Sequence, residues 1–210
     1  MLLALLLSAL PVASGDPWLG RVTTGPQSER PARGKLLVAA QSLQDPPFAR
    51  SVVLLVSHDA EDGSMGVIVN QPLDVTLAKI LPDVTHRRDR LWRGGPILTT
   101  SLLTLIRHPK NVADTEPLFA DVRMLTSRVA FERALASDVP ADRLRAFAGH
   151  AGWAPGQLET ELARGDWSLM PATAEIVFAT EPARVWPKLM QRGNGEWTRL
   201  RAPQRVAQAR

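Results

Sequence analysis

The chain has no cysteine among its 210 residues. That excludes disulfides, zinc–thiolate centres, thiol nucleophiles and a lipid-modified cysteine. It has little in the way of long apolar runs. The candidate near the start, Leu2 to Leu10, falls well short of the ~20 residues that cross ~30 Å of hydrocarbon as a helix. No internal repeat is visible. No helix-turn-helix, zinc-finger, RRM or KH signature is present, which disfavours nucleic acid as a partner. No motif supplies a nucleophile, base and oxyanion donor together, and none implies a cofactor. What is present is ordinary for a folded protein: 45% hydrophobic and 22% charged residues, enough for a core. The length suits one domain. A net charge of +4 permits an anionic partner without naming one.

The first residues, "MLLALLLSALPVASG", read as a signal peptide over residues 1–14, cleaved between Ser14 and Gly15. A positive n-region is missing apart from the α-amino group, and a start codon placed too far upstream is the competing explanation. Residues 15–34 are rich in Gly, Pro, Ser and Arg without helical or strand period, and read as a flexible leader. Export, to a periplasm, is the expected location, with no transmembrane segment in the mature chain; the alternative is cytoplasmic. The folded domain is expected over residues 35–193, and residues 194–210 as a basic tail.

Within the domain, "KLLVAA" reads as a strand. "SVVLLVSH", Ser51 to His58, lacks alternation, as a strand buried on both faces does. "MGVIVNQP", Met65 to Pro72, is its expected antiparallel hairpin partner at the centre of the sheet. Thr76 is a candidate N-cap for a short helix that Pro82 stops. "LWRGGPI" reads as strand then turn, "LLTLIRH" as a strand, Pro109 to Pro117 as loop, and "ADVRML" as a strand. Ser127 caps a helix carrying Phe131 and Leu135 at i, i+4. "RLRAFAGH" is a strand. Pro155 fits position N1 of a helix that Gly165 ends. "DWSLMPA" is a strand, and "TEPARVWPKLMQRG" a last helix in which Pro187 forces a kink or a new start.

Three blocks, "DPPFARSVVLLVSHDAEDGSMGVIVNQP", "RGGPI" and "GHAGWAPGQLETELARGDW", in this order and spacing, resemble the YqgE/AlgH family, UPF0301. The resemblance covers roughly Lys35 to Gly193. It implies an α+β fold: a bent, partly barrel-like mixed or antiparallel β-sheet with packed helices. It implies no established biochemical activity, only an association with transcriptional regulation in the family's names. The chain departs from the family at Ser64, commonly Ala, and at His150, commonly Tyr. It also departs in its Met1–Gly34 leader and in the tail after Gly193. An exported branch would explain the leader and argues against a direct transcriptional role.

The candidate sites are few. Ser64 in "GSMG" enters a strand and lacks the strand–turn–helix setting of a nucleophile elbow; a small residue at a tight turn is the simpler explanation. His58 with Asp59, Glu61 and Asp62 lacks the alternation of a calcium loop, and no metal is expected. The basic stretches "HRRDRLWR" and "WTRLR" place Arg near Trp, a weak nucleic-acid signal. In the third block, Gly149, Gly152 and Gly156 allow positive φ or close backbone approach. Trp153 buries a large ring whose N–H needs an acceptor. Gly156 and Gln157 offer N–H groups at a helix start that suits an anion. Arg93 beside Gly94 and Gly95 is a second anion candidate, its simpler explanation a turn needing positive φ. Ligand-binding candidates are therefore Arg93, Gly94, Gly95, Gly152, Trp153, Gly156 and Gln157. The expected function is a non-enzymatic binding or regulatory module for a protein or a small anionic ligand. The alternative is a hydrolase-like small-molecule enzyme with its site at the Gly149–Gln157 corner.

Overall fold

The structure is a computed structural model that describes residues 30–81, 87–137 and 139–191. The signal-peptide reading and the basic tail lie outside these residues. The end of the leader is tied down: Gly34 donates its N–H to the Leu55 carbonyl at 2.9 Å, and Arg33 pairs with Glu116 at 2.8 Å.

Strand β1 (Lys35–Ala39) is followed by the hairpin of β2 (Val52–Asp59) and β3 (Gly63–Ile68). The pair is antiparallel, with Val53 opposite Ile68 and Leu54 opposite Val67. Val52 to Val56 are at most 1% exposed, as a run without alternation requires. Strand β4 (Pro72–Thr76) comes next, where the sequence suggested only the approach to a helix. Helix α1 is then one turn, Leu77–Ile80, and Thr76 makes no side-chain cap. The expected stop at Pro82 lies outside the described residues.

Strand β5 (Arg90–Arg93) precedes a long β6 (Ile97–Arg107). β7 (Thr115–Phe119) and β8 (Val122–Leu125) form a hairpin. β7 corrects the expectation of loop through Pro117; cross-strand pairing to β8 outweighs the low strand propensity of "TEPLF". Helix α2 (Arg128–Ala136) is capped by the Ser127 hydroxyl, which accepts from the Ala130 N–H at 3.0 Å. β9 (Leu144–Trp153) runs further than expected, through the glycines to the tryptophan. Helix α3 (Gln157–Arg164) starts two residues after Pro155, with Gly156 as its N-cap at φ +73°. Pro155 is therefore outside the helix and not at N1. Gly165 ends it at φ +81°, and Asp166 donates its N–H to the Glu161 carbonyl, the pattern of a glycine-terminated helix. β10 (Trp167–Pro171) and the one-turn α4 (Ala174–Val177) follow. The final helix spans residues 185–191, with Pro187 in its first turn, where a missing N–H costs little.

The sheet order is β10-β1-β2-β3-β9-β6-β8-β7, with β4 on β5 and β5 on β9. Every pairing is antiparallel except β5 with β9. The sheet curls into a half-barrel with helices packed on it, an α+β fold. β9 is its hub. One edge bonds β6; the other is shared between β5, at Ala146–Ala148, and β3, at Ala151–Trp153. A main core gathers β1, β2, β3 and the final helix, and a smaller one lies under α2 around Leu77, Leu135 and Leu144. Among the described residues no helix is long and apolar enough to cross a membrane.

Candidate functional site

β5 and β9 approach so closely that Gly94 and Gly95 are fixed by contact and not by φ. A Cβ on Gly94 would sit 2.0 Å from the Gly149 carbonyl oxygen, and one on Gly95 2.1 Å from the His150 carbonyl carbon. Neither has positive φ, which corrects the expectation of a left-handed turn. Gly149 does, at +70°, and Gly156 at +73°. Gly152 does not; it lies in regular pairing opposite Met65, and a Cβ there would meet only the tip of Ile97. The structure thus brings Gly94 and Gly95 against the start of the third block. Arg93 is exposed on β5, with its backbone N–H on the Gln71 carbonyl.

The rest of that block closes on itself. Trp153 is 6% exposed and donates its indole N–H to Glu161 Oε2 at 2.8 Å. Trp167 donates to the same oxygen at 2.8 Å. Gln157 donates its amide to Glu161 Oε1 at 2.9 Å and accepts the Ala154 N–H at 3.0 Å. Phe48 packs against both indoles, which meet edge to face with centroids 6.0 Å apart. The Gln157 N–H goes to the Ala154 carbonyl. The polar groups of the corner therefore serve one another, around a carboxylate of the helix itself. Glu161, which terminates both indoles, was not singled out from the sequence.

Beside the corner, His58 Nδ1 lies 2.8 Å from Ser64 Oγ, and His58 Nε2 lies 3.6 Å from Glu159 Oε1. Residues from β2, β3 and α3 thus line up as hydroxyl, imidazole and carboxylate. The cross-strand register that sets His58 opposite Ser64 creates the first contact. Ser64 is 8% exposed, and neither cleft described below reaches it. In the adjoining turn, Asp59 accepts the N–H groups of Glu61 and Asp62, which hold its carboxyl below the usual carboxylate range. The acidic turn is thus a self-bonded hairpin end.

Two clefts open elsewhere. One of about 320 Å³ lies between β6, β8 and α2, lined by Leu102, Leu125, Ser127 and Phe131; its serine is engaged as the α2 cap. The other, of about 220 Å³, lies where β4, β5, β9 and the chain after α4 meet, with Arg88, Arg90, Arg145, Trp92 and Phe178 in its walls. Arg145 is 6% exposed. Its guanidinium carbon sits 3.7 Å from the Trp92 ring centroid and 5.6 Å from that of Phe178. It donates to the carbonyls of Val69 at 3.0 Å and Ala179 at 2.5 Å. Its other three N–H groups donate to no protein acceptor among the described residues, and no carboxylate there pairs with it. Burial pushes its pKa down to about 9, because a cation in a poorly hydrated place lacks the counter-charge that would offset desolvation.

Alternation along "RRDR" builds the rim. Arg87 and Asp89 point inward and form a buried two-pronged pair at 2.7 and 2.8 Å. Arg87 also donates to the Val139 carbonyl at 2.9 Å. Arg88 and Arg90 point outward, exposed, and line the cleft. Asp89 is thereby spoken for. Among the described residues Asp142 is the remaining carboxylate in the wall, and Arg90 has only the fully exposed Asp74 at 3.9 Å. Arg145 carried no motif. Its signal in the sequence was an arginine inside a strand of otherwise apolar residues, "LRAFA", where a charge must find a partner.

The AlgH-like family model, DUF179, matches residues 36–198. A UPF0301 protein of Streptomyces coelicolor is 37% identical over 169 residues, covering 78% of this chain and 87% of that one. A UPF0301 protein of Methylococcus capsulatus is 35% identical over 172 residues, covering 79% and 93%. The crystal structure of a Corynebacterium diphtheriae protein aligns with a TM-score of 0.67 at 32% identity, covering 78% of this chain and 87% of that one. The solution structure of the AlgH protein from Pseudomonas aeruginosa aligns with a TM-score of 0.63 at 26% identity, covering 88% and 98%. The curled sheet with its packed helices is that of the AlgH-like UPF0301 family, to which this chain belongs.

Proposed function

We propose that the chain is a non-enzymatic binding module for a small anionic ligand, and that its site is the arginine cleft. The observation that carries this reading is Arg145: a guanidinium 6% exposed, without a carboxylate partner among the described residues, opening onto a cleft with two further arginines. A buried cation without counter-charge is costly, and an anion that binds there recovers that cost. The proposed site therefore lies beside β5 and β9 and not at the Gly149–Gln157 corner, where the Trp153 and Gln157 side chains are committed to Glu161. The hydrolase-like alternative has one supporting observation, the Ser64–His58–Glu159 alignment. Its serine is 8% exposed and lines neither of the two clefts. Export through residues 1–14 belongs to the same proposal and rests on the apolar run and the Ser14–Gly15 junction.

The experiment is thermal melting in increasing phosphate. Wild type gains stability as the logarithm of phosphate concentration above Kd, about 1.4 kcal/mol at ten times Kd. Phosphate also stabilises proteins by exclusion from their surfaces, which grows in proportion to concentration. The Arg88→Ala/Arg90→Ala double variant separates the two: it keeps the linear part and loses the logarithmic part. A double variant that responds as wild type does would end the reading.

A further inference from the structure

The geometry points to a dianionic oxyanion, the phosphate group of a small organic monoester, as the ligand of the Arg145 cleft. This inference rests on the cleft being an anion site. Charge gives the first argument. Three arginines, Arg88, Arg90 and Arg145, line the cleft. Asp89 is neutralised by Arg87 at 2.7 Å, so among the described residues Asp142 is the one carboxylate of the wall set against them. The balance of these described groups is two positive charges, which a monocarboxylate leaves half unmet and a monoester phosphate, at −1.5 to −2 near neutral pH, matches.

Shape gives the second argument. All guanidinium donors lie in the plane of the group, and the Arg145 guanidinium carbon lies over the Trp92 ring, 3.7 Å from its centroid. A ligand oxygen must therefore reach its free N–H groups from the side. Arg88 and Arg90 come from the start of β5 and the residues just before it, Arg145 from β9. A planar carboxylate presents two oxygens in one plane; a phosphate presents three around a tetrahedron and serves donors from both directions. The volume of about 220 Å³ is small against ordinary drug-sized sites. It holds the phosphate and a short organic remainder resting on Trp92, Phe178 and Pro182.

Calorimetric titration of the full chain tests this with three probes: phenyl phosphate, its methyl diester carrying one charge fewer, and benzoate. Phenyl phosphate is expected to bind at least tenfold more tightly than either of the others. Arg88→Ala and Arg90→Ala, both at exposed positions, should each weaken it several-fold. Asp142→Asn should tighten it several-fold, because a like charge leaves the wall. Equal affinity for all three probes would overturn the dianion while leaving an anion site. Weaker phenyl phosphate binding in Asp142→Asn would also overturn it, since Asp142 would then be holding a cationic part of the ligand. Failure of all three probes to bind sinks this inference and the anion site together. Vesicles containing phosphatidic acid carry the same monoester group. Pelleting with them that phenyl phosphate competes away supports the inference with a lipid as source. Phenyl phosphate binding without pelleting supports it with a soluble ester.

Discussion

Strand β9 begins beside an unpaired cation and ends in a satisfied corner. At its start, Arg145 is buried with two carbonyls and two aromatic rings but, among the described residues, no counter-charge. At its end, Trp153 is buried with its one polar atom on a carboxylate that also serves Trp167 and Gln157. Both regions mix aromatic and polar groups at similar depth. They differ in what is left over. The side-chain polar groups of Trp153, Trp167 and Gln157 find partners within the corner. The described residues of the cleft carry an excess of positive charge, which is why the proposed site lies there.

Substitutions sharpen the contrast. Gly95→Ala is expected to have the largest effect, because its Cβ would overlap the His150 backbone at 2.1 Å and backbone cannot step aside as a side chain does. A loss of about 4 kcal/mol or more, out of a typical ~5–15 kcal/mol, should leave little cooperative unfolding by circular dichroism. Trp153→Ala should cost ~3–5 kcal/mol in denaturant unfolding, as other buried tryptophans do. Glu161→Ala should cost about 1–3 kcal/mol for each indole left without an acceptor, while phosphate still raises the melting temperature. If it abolished that rise instead, the corner would be the site and the contrast would fail. Gly152→Val is expected to be mildest, within about 1 kcal/mol. Its φ is ordinary, a β-branched residue suits a strand, and the Ile97 side chain can move.

The fold was legible where one physical rule dominates. The uninterrupted apolar run at Val52 to Val56 announced a strand buried on both faces, and the hairpin with Val67 and Ile68 followed from its neighbour. Ser127 declared its cap. β4 and β7 were hidden because Pro72 and Pro117 speak against strands, and only pairing with β5 and β8 supplies the reason to form them. The start of α3 was misplaced because Pro155 suits N1 equally well in a sequence. The left-handed Gly156, at φ +73°, decides the boundary. In the candidate site, Gly94 and Gly95 were noticed for a conformation they do not adopt, and their requirement is the nearness of β9. Arg145 showed in the sequence only as a charge within the apolar strand "LRAFA"; what it lacks, a carboxylate partner, depends on every wall of the cleft. The alternation in "RRDR" could have been read as two residues in and two out.

The most direct measurement follows the tryptophan indole N–H resonances by NMR during titration with inorganic phosphate. Trp92 lies on Arg145 in the cleft, whereas Trp153 and Trp167 are held on Glu161 at 2.8 Å. The account predicts that the Trp92 signal shifts saturably while those of Trp153 and Trp167 stay in place. A saturable shift of Trp153 and Trp167 with Trp92 unmoved would contradict it and return the ligand to the glycine corner.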